Sequence, residues 1–285
     1  MNIALLTCSN LDEFVNEEHH LEKALKDKGW DYDWIVWTES APDWSLYDAV
    51  VIRTTWDYIQ HKPKFLEYLK SIEDSGAKLF NGSDIVNWNS DKKYLKELEG
   101  KGVRIVPTRW GVDFSLDEFN ELYQVFETNK MVIKPNVGAG AFKTFLIDQG
   151  DNSKIEEALS ELKGIEVMIQ PYLTGVASEG EFSMHYFSGV HSHTILKTPK
   201  DGDFRSQEEF GSYIRRIDPE ESLFEFADQV LKEINERLLY ARVDIVRENG
   251  KFHLIELELI EPCLYFRTYE PSAGTFVQAL ESFLN

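Results

Sequence analysis

Short apolar runs alternate with amphipathic segments through the first part of the chain. The runs that predict β-strands lie at residues 3–7, 34–37, 49–52 and 78–80. Between them, apolar residues at helical spacing predict helices over residues 13–28 and 63–75. Because strand and helix alternate, we expect a doubly wound parallel sheet with helices on both faces. Ligands of such sheets bind at the carboxyl ends of the strands, where residues 7–10 and 53–58 carry polar side chains.

The pattern changes after residue 81, where strands outnumber helices. Ser115 and Glu118 have the spacing of a capping box and predict the start of a helix. The predicted helices cover residues 91–99, 115–126, 153–162, 219–238 and 272–283. The predicted strands cover residues 131–134, 143–147, 167–170, 181–187, 193–197, 241–247 and 254–262. We therefore expect a chain of mixed class, α/β in its first part and α+β in the rest.

The strand predicted at residues 254–262 carries carboxylates among its apolar residues. Glu256 and Glu258 are two residues apart, so on a strand both side chains project from one face. Like charges this close repel each other unless a cation lies between them, and Mg²⁺ is bound by one or two carboxylates plus substrate phosphates. The alternative is a strand whose solvent-exposed face is acidic. Glu261 stands at an odd offset from the pair and is expected to face the other way.

The dipeptide Asn249-Gly250 predicts a tight hairpin turn just before this strand. Counted back from the turn, Asp244 pairs near Glu256 on the neighbouring strand. Asp244, Glu256 and Glu258 are therefore expected to converge on one face of the sheet. Together they are a candidate site for a metal ion that carries phosphate.

The composition narrows the classes of function. A net charge of -20 over 285 residues argues against nucleic acid or an anionic membrane as a partner. Cys8 and Cys263 are too few for a disulfide framework or a zinc cluster. No segment has the apolar length of a membrane span, and residues 1–7 look like a first strand rather than a signal peptide. We expect a cytoplasmic protein.

Two other segments are candidates for binding phosphate. Lys134 precedes a loop with Gly138 and Gly140, and small residues let backbone N–H groups approach an anion. A plain hairpin loop is the alternative. Lys197 and Arg205 stand at either end of a turn-rich loop, and the planar fork of Arg suits phosphate or carboxylate. A surface ion pair explains Arg205 equally well.

Residues 168–173 form an apolar run that passes into an extended linker. One interpretation is an ordinary core strand followed by a turn. The other is a hinge whose backbone edge binds a flat heterocycle. The residues themselves leave both interpretations open.

In chain order, these segments resemble the ATP-grasp ligases, especially the bacterial glutathione synthetase type and the O-ureido-serine cyclo-ligase branch of cycloserine biosynthesis. The resemblance covers most of the chain. It rests on residues 89–95, 134–140, 170–173, 180–181, 197–205 and the three acids of the hairpin. Residues 53–58, 88–92 and 256–262 resemble the cyclo-ligase branch in particular. Glu258 stands where glutathione synthetase has Asn, which favours a cyclo-ligase or an amino-acid ligase acting on a small zwitterion.

The resemblance implies a domain organisation and a set of ligands. It implies an ATP-grasp fold with a pre-ATP-grasp domain at residues 1–85, a lid subdomain at 86–173 and a C-terminal subdomain at 174–285. The cofactors implied are ATP and two Mg²⁺ ions, with Mn²⁺ as an alternative metal. The partners implied are a small carboxylate and an amine, with a homodimer as one option for the assembly.

The resemblance also implies a role for each candidate residue. Lys197 and Arg205 would be catalytic and stabilise the transferred phosphoryl group. The nucleotide would contact Lys92, Lys134, Gly138, Gly140, Gln170, Tyr172, Leu173 and Glu181. The metal ions would bind Asp244, Glu256 and Glu258. For the substrate, we expect contacts with Arg53, Asp57 and Tyr58.

The implied reaction is the phosphorylation of a carboxylate by ATP, followed by displacement of phosphate by an amine. Two alternatives stay open. The first is a phosphotransferase of the same fold that stops before ligation. The second is a catalytically silent nucleotide-binding regulator, which is disfavoured because the lysines, the arginine and all three acids occur together.

Overall fold

Three β-sheets follow one another along the part of the chain that the structure describes. The computed structural model describes residues 1–12, 14–39, 41–138, 140 and 142–285. Glu13, at the start of a predicted helix, and Ala139 and Ala141, in the predicted loop after Lys134, lie outside the described residues. Within those bounds, no helix is both long enough and apolar enough to cross a membrane.

The first sheet is parallel, as the alternation of strand and helix predicts, and its strand order is β2-β1-β3-β4. The strands are β1 (Asn2–Thr7), β2 (Asp31–Val36), β3 (Ala49–Thr54) and β4 (Leu79–Phe80). The helices between them are α1 (His19–Asp27) and α2 (Lys62–Asp74), with 3₁₀ turns at Trp44–Leu46 and Tyr58–His61. Strand β3 is buried along its whole length, as expected of a strand in a sheet covered on both faces.

Helix α1 begins at His19, later than the start predicted near residue 13. The side chain of Asn16 accepts a hydrogen bond from Glu18 N at 2.9 Å, and this turn comes just ahead of the helix. Phe14, which the helical pattern counted as an inward position, is 38% exposed. The predicted helix is therefore confirmed from His19 onward, where the apolar residues Leu21 and Leu25 are buried.

The second sheet is antiparallel, in the order β5-β8-β6-β7. Its strands are β5 (Arg109–Gly111), β6 (Lys130–Pro135), β7 (Phe145–Asp148) and β8 (Val167–Pro171). Helices α3 (Ser83–Asn89) and α4 (Tyr94–Gly100) precede it, and α5 (Leu116–Val125) and α6 (Asn152–Glu161) pack on one of its faces. The capping box of Ser115 and Glu118 is confirmed at the start of α5.

The third sheet is also antiparallel, in the order β11-β10-β9-β12-β13. Its strands are β9 (Glu181–Phe187), β10 (Val190–Thr198), β11 (Tyr213–Ile217), β12 (Tyr240–Glu248) and β13 (Lys251–Glu258). The helices of this part are α7 (Gly175–Ser178), α8 (Glu221–Lys232) and α9 (Ser272–Leu284), with 3₁₀ turns at Glu208–Phe210 and Phe266–Thr268. One face of the sheet is apolar and packs against α4 and α8, whereas α9 packs on the first sheet beside α1.

Two predicted elements are shorter in the structure. Helix α8 ends at Lys232 rather than near residue 238, and beyond it the guanidinium of Arg237 lies 3.9 Å from the centre of the Phe283 ring on α9. Strand β13 ends at Glu258 rather than at residue 262. Beyond it, Leu259 N donates to the side chain of Asn89 at 3.0 Å instead of to a neighbouring strand.

The three sheets occupy residues 2–80, 109–171 and 181–258. The mixed fold, with a parallel sheet first and antiparallel sheets after it, is confirmed. The division of the chain at residues 85 and 173 stays a prediction.

Candidate active site

A β-bulge sets which residues of the hairpin lie opposite each other. Near the Asn249-Gly250 turn the register is regular, and Ile245 lies opposite Leu254. One step further, Asp244 lies opposite Glu256, so Ile255 is the extra residue of a bulge. Without that residue Glu256 would lie opposite Val243, whose side chain is part of the apolar core. The predicted pairing of Asp244 near Glu256 is confirmed.

The face of the third sheet that carries these acids is polar across several strands. Asp244 lies opposite Ser183 on β9, and the Ser183 hydroxyl donates a hydrogen bond to its carboxylate. Lys197 on β10 lies opposite Glu181 on the same face. The opposite face is the apolar one, which explains why charged and apolar residues alternate along these strands.

Arg242 is the centre of the charge network on this face. Its guanidinium lies 2.9 Å from Asp244 (Nη2 to Oδ2) and also pairs with Glu258 on the neighbouring strand. Lys197 pairs with Glu181, and its Nζ lies 3.6 Å from Oδ2 of Asp244. Arg242 is not among the residues predicted from the sequence. Its position two residues before Asp244 on one strand, and so on one face, could have identified it.

The two acids that pair with Arg242, Asp244 and Glu258, have pKa shifts in opposite directions. Burial opposes the ionisation of Asp244, but the charges of Arg242 and Lys197 outweigh it and lower the pKa of this carboxyl. For Glu258, loss of solvent raises the pKa, and the charges of Asp244 and Glu256 add to the rise against the opposing effect of Arg242. At the same arginine, the carboxyl of Glu258 is therefore more easily protonated than that of Asp244.

Two lysines from other parts of the chain reach the same acids. Lys92 is buried, its Nζ lies 3.0 Å from Oε1 of Glu256, and it also donates to Gly138 O in the loop after β6. The backbone N of Lys92 donates to Asn136 O at 3.0 Å. Lys134 lies near this pair: desolvation lowers its pKa, the charge of Glu256 opposes that shift, and Lys92 reinforces it. The structure thus brings Lys92 and Lys134 to the acidic strand.

The predicted hinge joins the second and third sheets. The side chain of Gln170 is buried and donates to Thr108 Oγ1 at 2.9 Å, so any contact it makes with a nucleotide base would use its backbone. Tyr172 N donates to Lys130 O at 2.9 Å. Tyr172 and Leu173 line an open cleft together with the tip of the β12–β13 hairpin. The roles predicted for these residues stay predictions.

Arg205 is held within its own loop. Its Nη2 lies 2.7 Å from Oδ2 of Asp203, and its guanidinium lies 3.6 Å from the centre of the Phe210 ring. The hydrogen bonds from Arg205 lower the pKa of Asp203, which is therefore charged and retains the arginine. The structure does not bring Arg205 to the acids of β12 and β13, in contrast to Lys197.

The residues predicted to contact the substrate lie in three different settings. Arg53 is fully buried, and its Nη2 lies 2.6 Å from Oε1 of Glu18. Asp57 accepts a hydrogen bond from the indole of Trp37 at 2.6 Å. Tyr58 is 6% exposed, and its pKa is raised well above 10, first by burial and then by the charges of nearby glutamates. Tyr58 is therefore the member of this set that borders the acidic strand.

The expectation that Glu261 faces away from the acid pair rests on strand alternation and stays a prediction. Because β13 ends at Glu258, the alternation of strand faces no longer applies at residue 261. Burial raises the pKa of Glu261 to about 8, and the charges of Glu258 and Glu256 add to the rise. The charges of Glu256 and Glu258 therefore act on Glu261.

Asp244, Glu256 and Glu258 could bind a metal ion only if an anionic ligand supplied further oxygen atoms to it. Among the residues the structure covers, no three His, Cys, Asp or Glu side chains are grouped so that they could hold a metal ion alone. Asp244, Glu256 and Glu258 are each paired with a protein cation instead. A Mg²⁺ ion that carries phosphate needs only one or two carboxylates.

Two parts of the chain match the models of known protein families. Residues 114–267, more than half of the chain, match the family model of the prokaryotic glutathione synthetase ATP-grasp domain. The chain belongs to the ATP-grasp family. Residues 3–81 match the model of the N-terminal domain of the D-cycloserine synthetase DcsG. The resemblance drawn from the sequence, including that to the cycloserine branch, is confirmed.

Individual relatives agree with this placement in the ATP-grasp family. The chain is 28% identical to the cycloserine biosynthesis protein DcsG of Streptomyces lavendulae over 260 residues, 86% of each protein. It is similar to the crystal structure of the D-cycloserine synthetase DcsG, with a TM-score of 0.85 and 26% identity over all of both chains. The D-alanine–D-alanine ligase from Bacillus anthracis shares the ATP-grasp fold, with a TM-score of 0.71 and 15% identity over 100% of this chain and 97% of that one. The protein is thus an enzyme of a family that performs ATP-dependent ligation.

Proposed function

We propose that this ATP-grasp enzyme activates the carboxylate of a small amino-acid-like substrate as an acyl phosphate and joins it to an amine. The observation that carries the proposal is the pairing of Asp244 with Glu256 on one face of the third sheet, with Lys92, Lys134 and Lys197 around it. A triphosphate needs both cations and metal-binding carboxylates. This face supplies both, although the whole chain is acidic.

In the first step, a carboxylate oxygen of the substrate bonds to the γ-phosphorus of ATP, and the bond from that phosphorus to the β–γ bridging oxygen breaks, releasing ADP. In the second step, the amine nitrogen bonds to the acyl carbon, loses a proton, and the acyl carbon–oxygen bond breaks to release phosphate. Neither step needs a protein nucleophile. The protein would contribute positioning and fixed charge, which are the main sources of catalysis in phosphoryl transfer.

The residues predicted to bind the nucleotide, the metal ions and the phosphoryl group each have a part in these steps. Lys92 and Lys134 would hold the nucleotide phosphates, with the loop of Gly138 and Gly140 closing over them to exclude water. Lys197 would stabilise the transferred phosphoryl group, and Glu181 would bind the ribose hydroxyls. The backbone of the hinge, residues 170–173, would face the adenine.

Asp244, Glu256 and Glu258 would hold two Mg²⁺ ions, or Mn²⁺ in their place. A bound metal ion would neutralise phosphate charge. Arg205 has a different requirement. It can act on the acyl phosphate only after leaving Asp203 and Phe210, so we propose that closure of its loop belongs to the reaction.

The test is a screen for ADP release by the purified full chain with Mg²⁺ and ATP. O-ureido-serine is the first candidate because of the similarity to the cycloserine synthetase, followed by amino acids and short peptides, each with and without amine acceptors. We expect ADP release that depends on the carboxylate, and a product with a new carbon–nitrogen bond by mass spectrometry. ADP release without such a product would indicate a phosphotransferase. Binding of Mg²⁺ and ATP with no ADP release for any acid would indicate a silent regulator.

A further inference from the structure

The segment after β13 crosses the face of the third sheet that carries the acids. Arg242 Nη1, on that face, donates to Cys263 O at 3.1 Å, and Nε2 of His193 lies 3.0 Å from Leu264 O. His193 stands on β10 at an even offset from Lys197, so both side chains project from the same face. The segment after β13 therefore lies over this face of the sheet.

Arg267, in this segment, pairs with two acids from different parts of the chain. Its guanidinium pairs with Glu17, just before α1, and its Nη2 lies 2.7 Å from Oε2 of Glu208. The backbone N of Arg267 also donates to the Glu17 carboxylate, at 3.2 Å. Glu17 is 5% exposed, so Arg267 balances the charge of a buried acid there. One arginine thus joins Glu208 to the chain just before α1.

Glu208 belongs to the Arg205 loop, which we define as residues 199–212 between β10 and β11. Glu208 begins the 3₁₀ turn of this loop, and Phe210 ends it. The guanidinium of Arg205 lies 3.6 Å from the centre of the Phe210 ring. The turn that Arg267 holds is therefore the same turn that supports Arg205.

A second contact fixes this turn from the N-terminal part of the chain. Glu209, next to Glu208, accepts a hydrogen bond from Val15 N at 3.5 Å. At its other end, the Arg205 loop starts after Thr198, one residue beyond Lys197 of the acidic face. The loop therefore runs from the acidic face to the segment that precedes α1.

The ion pair of Arg267 with Glu208 is weak enough to open during turnover. The two side chains are 33% and 28% exposed. A partly exposed ion pair changes an equilibrium by only about two- to fivefold. The contact therefore favours the docked loop without locking it, so substrates can enter and products can leave.

We propose that Arg267 is a positioning residue that docks the Arg205 loop over the active site and so keeps water from the acyl phosphate, an inference that rests on the ligase function proposed above. Arg267 acts through Glu208 and fixes the far end of the loop. Only the part near Arg205 then has to move for that residue to reach the acyl phosphate.

The reaction that the docked loop would prevent is hydrolysis of the acyl phosphate. The oxygen of water would bond to the acyl carbon, and the acyl carbon–oxygen bond would break to release phosphate. The two protons of the water would pass to phosphate and solvent. The acid would be returned unchanged with one ATP consumed, so the loss of docking appears as ADP release without product.

The experiment measures ADP and the new carbon–nitrogen bond together in wild type, Arg267→Met and Glu208→Gln, with the substrates found in the screen and saturating Mg²⁺ and ATP. Wild type should form ADP and product in equal amounts. In both variants, the rate of ADP release without product should rise by about two- to fivefold, the effect of one partly exposed ion pair on the open population of the loop. This excess should require the carboxylate substrate, since it arises from the acyl phosphate.

Glu208→Gln keeps the test independent of folding. Arg267→Met leaves Glu17 buried without its cation, which destabilises the protein. Glu208→Gln removes a partly exposed acid from the loop and leaves the pair of Arg267 with Glu17 in place. The double variant should release the same excess of ADP as Arg267→Met alone, because both changes break one contact. Arg267→Lys, which keeps the charge, should lie closer to wild type.

Two matched variants serve as controls. Arg237→Met removes an arginine that stacks on the ring of Phe283 on α9, and Glu225→Gln removes an exposed carboxylate from α8. Both should form ADP and product in equal amounts. The Kd for ATP with Mg²⁺, measured by calorimetry, should stay within about twofold of wild type in every variant, because the docking contact is not proposed to touch the nucleotide.

Four outcomes would contradict the inference. Equal amounts of ADP and product in Arg267→Met and Glu208→Gln would overturn the docking role and leave the ligase function intact. Excess ADP without any carboxylate would overturn it as well, because water would then attack ATP rather than the acyl phosphate. An equal excess in Arg237→Met would show a general loss of stability, and the proposal would be wrong. Binding of Mg²⁺ and ATP by wild type with no ADP release for any acid would refute the ligase function, and the inference with it.

Discussion

Replacing Arg242 with Met should destabilise the protein in a way that depends on pH. Arg242 is 6% exposed and neutralises two acids at once, with hydrogen bonds of 3.0 and 2.9 Å to Asp244 and a further contact with Glu258. Met has a similar length and no charge, so the variant leaves both carboxylates in place without their shared cation. Breaking a buried ion pair by removing one partner costs about 3–5 kcal/mol.

Two acids lose a partner in Arg242→Met, but the expected loss of stability is still that of one broken buried ion pair. Lys197 remains 3.6 Å from Asp244 and takes over part of the role, and Glu258 is only half-buried. We therefore expect a loss of about 3–5 kcal/mol in the free energy of unfolding near neutral pH.

The direction of the pH dependence follows from the pKa shifts. Asp244 has a lowered pKa in the folded protein, so its contribution to stability is present above the pKa of the unfolded chain and is lost as the pH falls through the folded pKa. Without Arg242 that contribution shrinks. The raised pKa of Glu258 means that its burial costs stability above the unfolded pKa, and the cost grows without the arginine. The loss at Asp244 is the same at about pH 5 and about pH 8, because both values lie above its unfolded pKa, whereas the growing cost at Glu258 makes the total loss larger at about pH 8 than at about pH 5.

The assay is urea unfolding of wild type and Arg242→Met at the two pH values, followed by circular dichroism and tryptophan fluorescence to test for a single transition. Arg109→Met, which removes an exposed arginine, should change stability by less than about 0.5 kcal/mol at either pH. A loss in Arg242→Met that is the same at both pH values would refute the proposed balance of charges.

Three further predictions follow from the site and its supports. Glu256→Gln should abolish turnover while leaving the fold intact, as judged by circular dichroism, because the carboxylate is proposed to bind metal; normal ADP release by this variant would contradict the assignment. Arg53→Met should lower the free energy of unfolding by about 3–5 kcal/mol, because Glu18 would remain buried without its cation, and urea unfolding measures this loss. Gly180→Ala should reduce kcat, because Gly180 has φ +121 and a Cβ there would lie 2.8 Å from Lys197 O. Gly29→Ala is the control, since Gly29 also has a positive φ but a Cβ there would meet no atom within 4 Å. An unchanged kcat in Gly180→Ala would show that Lys197 can move without loss of activity.

The fold was largely predictable where local patterns and tertiary packing agree. The parallel sheet follows from buried apolar runs such as β3, and the hairpin follows from Asn249-Gly250. Strands β5 and β11 were missed because neither contains a buried residue, so their sequences carry no period that distinguishes them from loops. The segment after α8 is not helical as predicted, and there Arg237 contacts Phe283 on a distant helix, a contact that no local pattern contains.

The acids and lysines of the site could be predicted from the sequence, but the ion pairs between them could not. Spacing on a strand placed Glu256 and Glu258 on one face, and the hairpin brought Asp244 to them. Which cation pairs with which acid depends on side chains from β9, β10 and α3–α4, and that pairing is a tertiary property. Strand alternation does not fix the direction of Glu261, because β13 ends at Glu258 and Leu259 N donates to the side chain of Asn89.

The bulge at Ile255 divides the β12–β13 hairpin into two parts with different tolerance to change. Between the bulge and the turn, adding one residue to each strand lengthens the hairpin tip and leaves Asp244 opposite Glu256. Adding a single residue to one strand shifts the register and moves one acid of the pair to the apolar face. We expect natural relatives and engineered variants to differ in hairpin length only by matched pairs of residues, so that the tip can be redesigned as a module without disturbing the chemistry at its base.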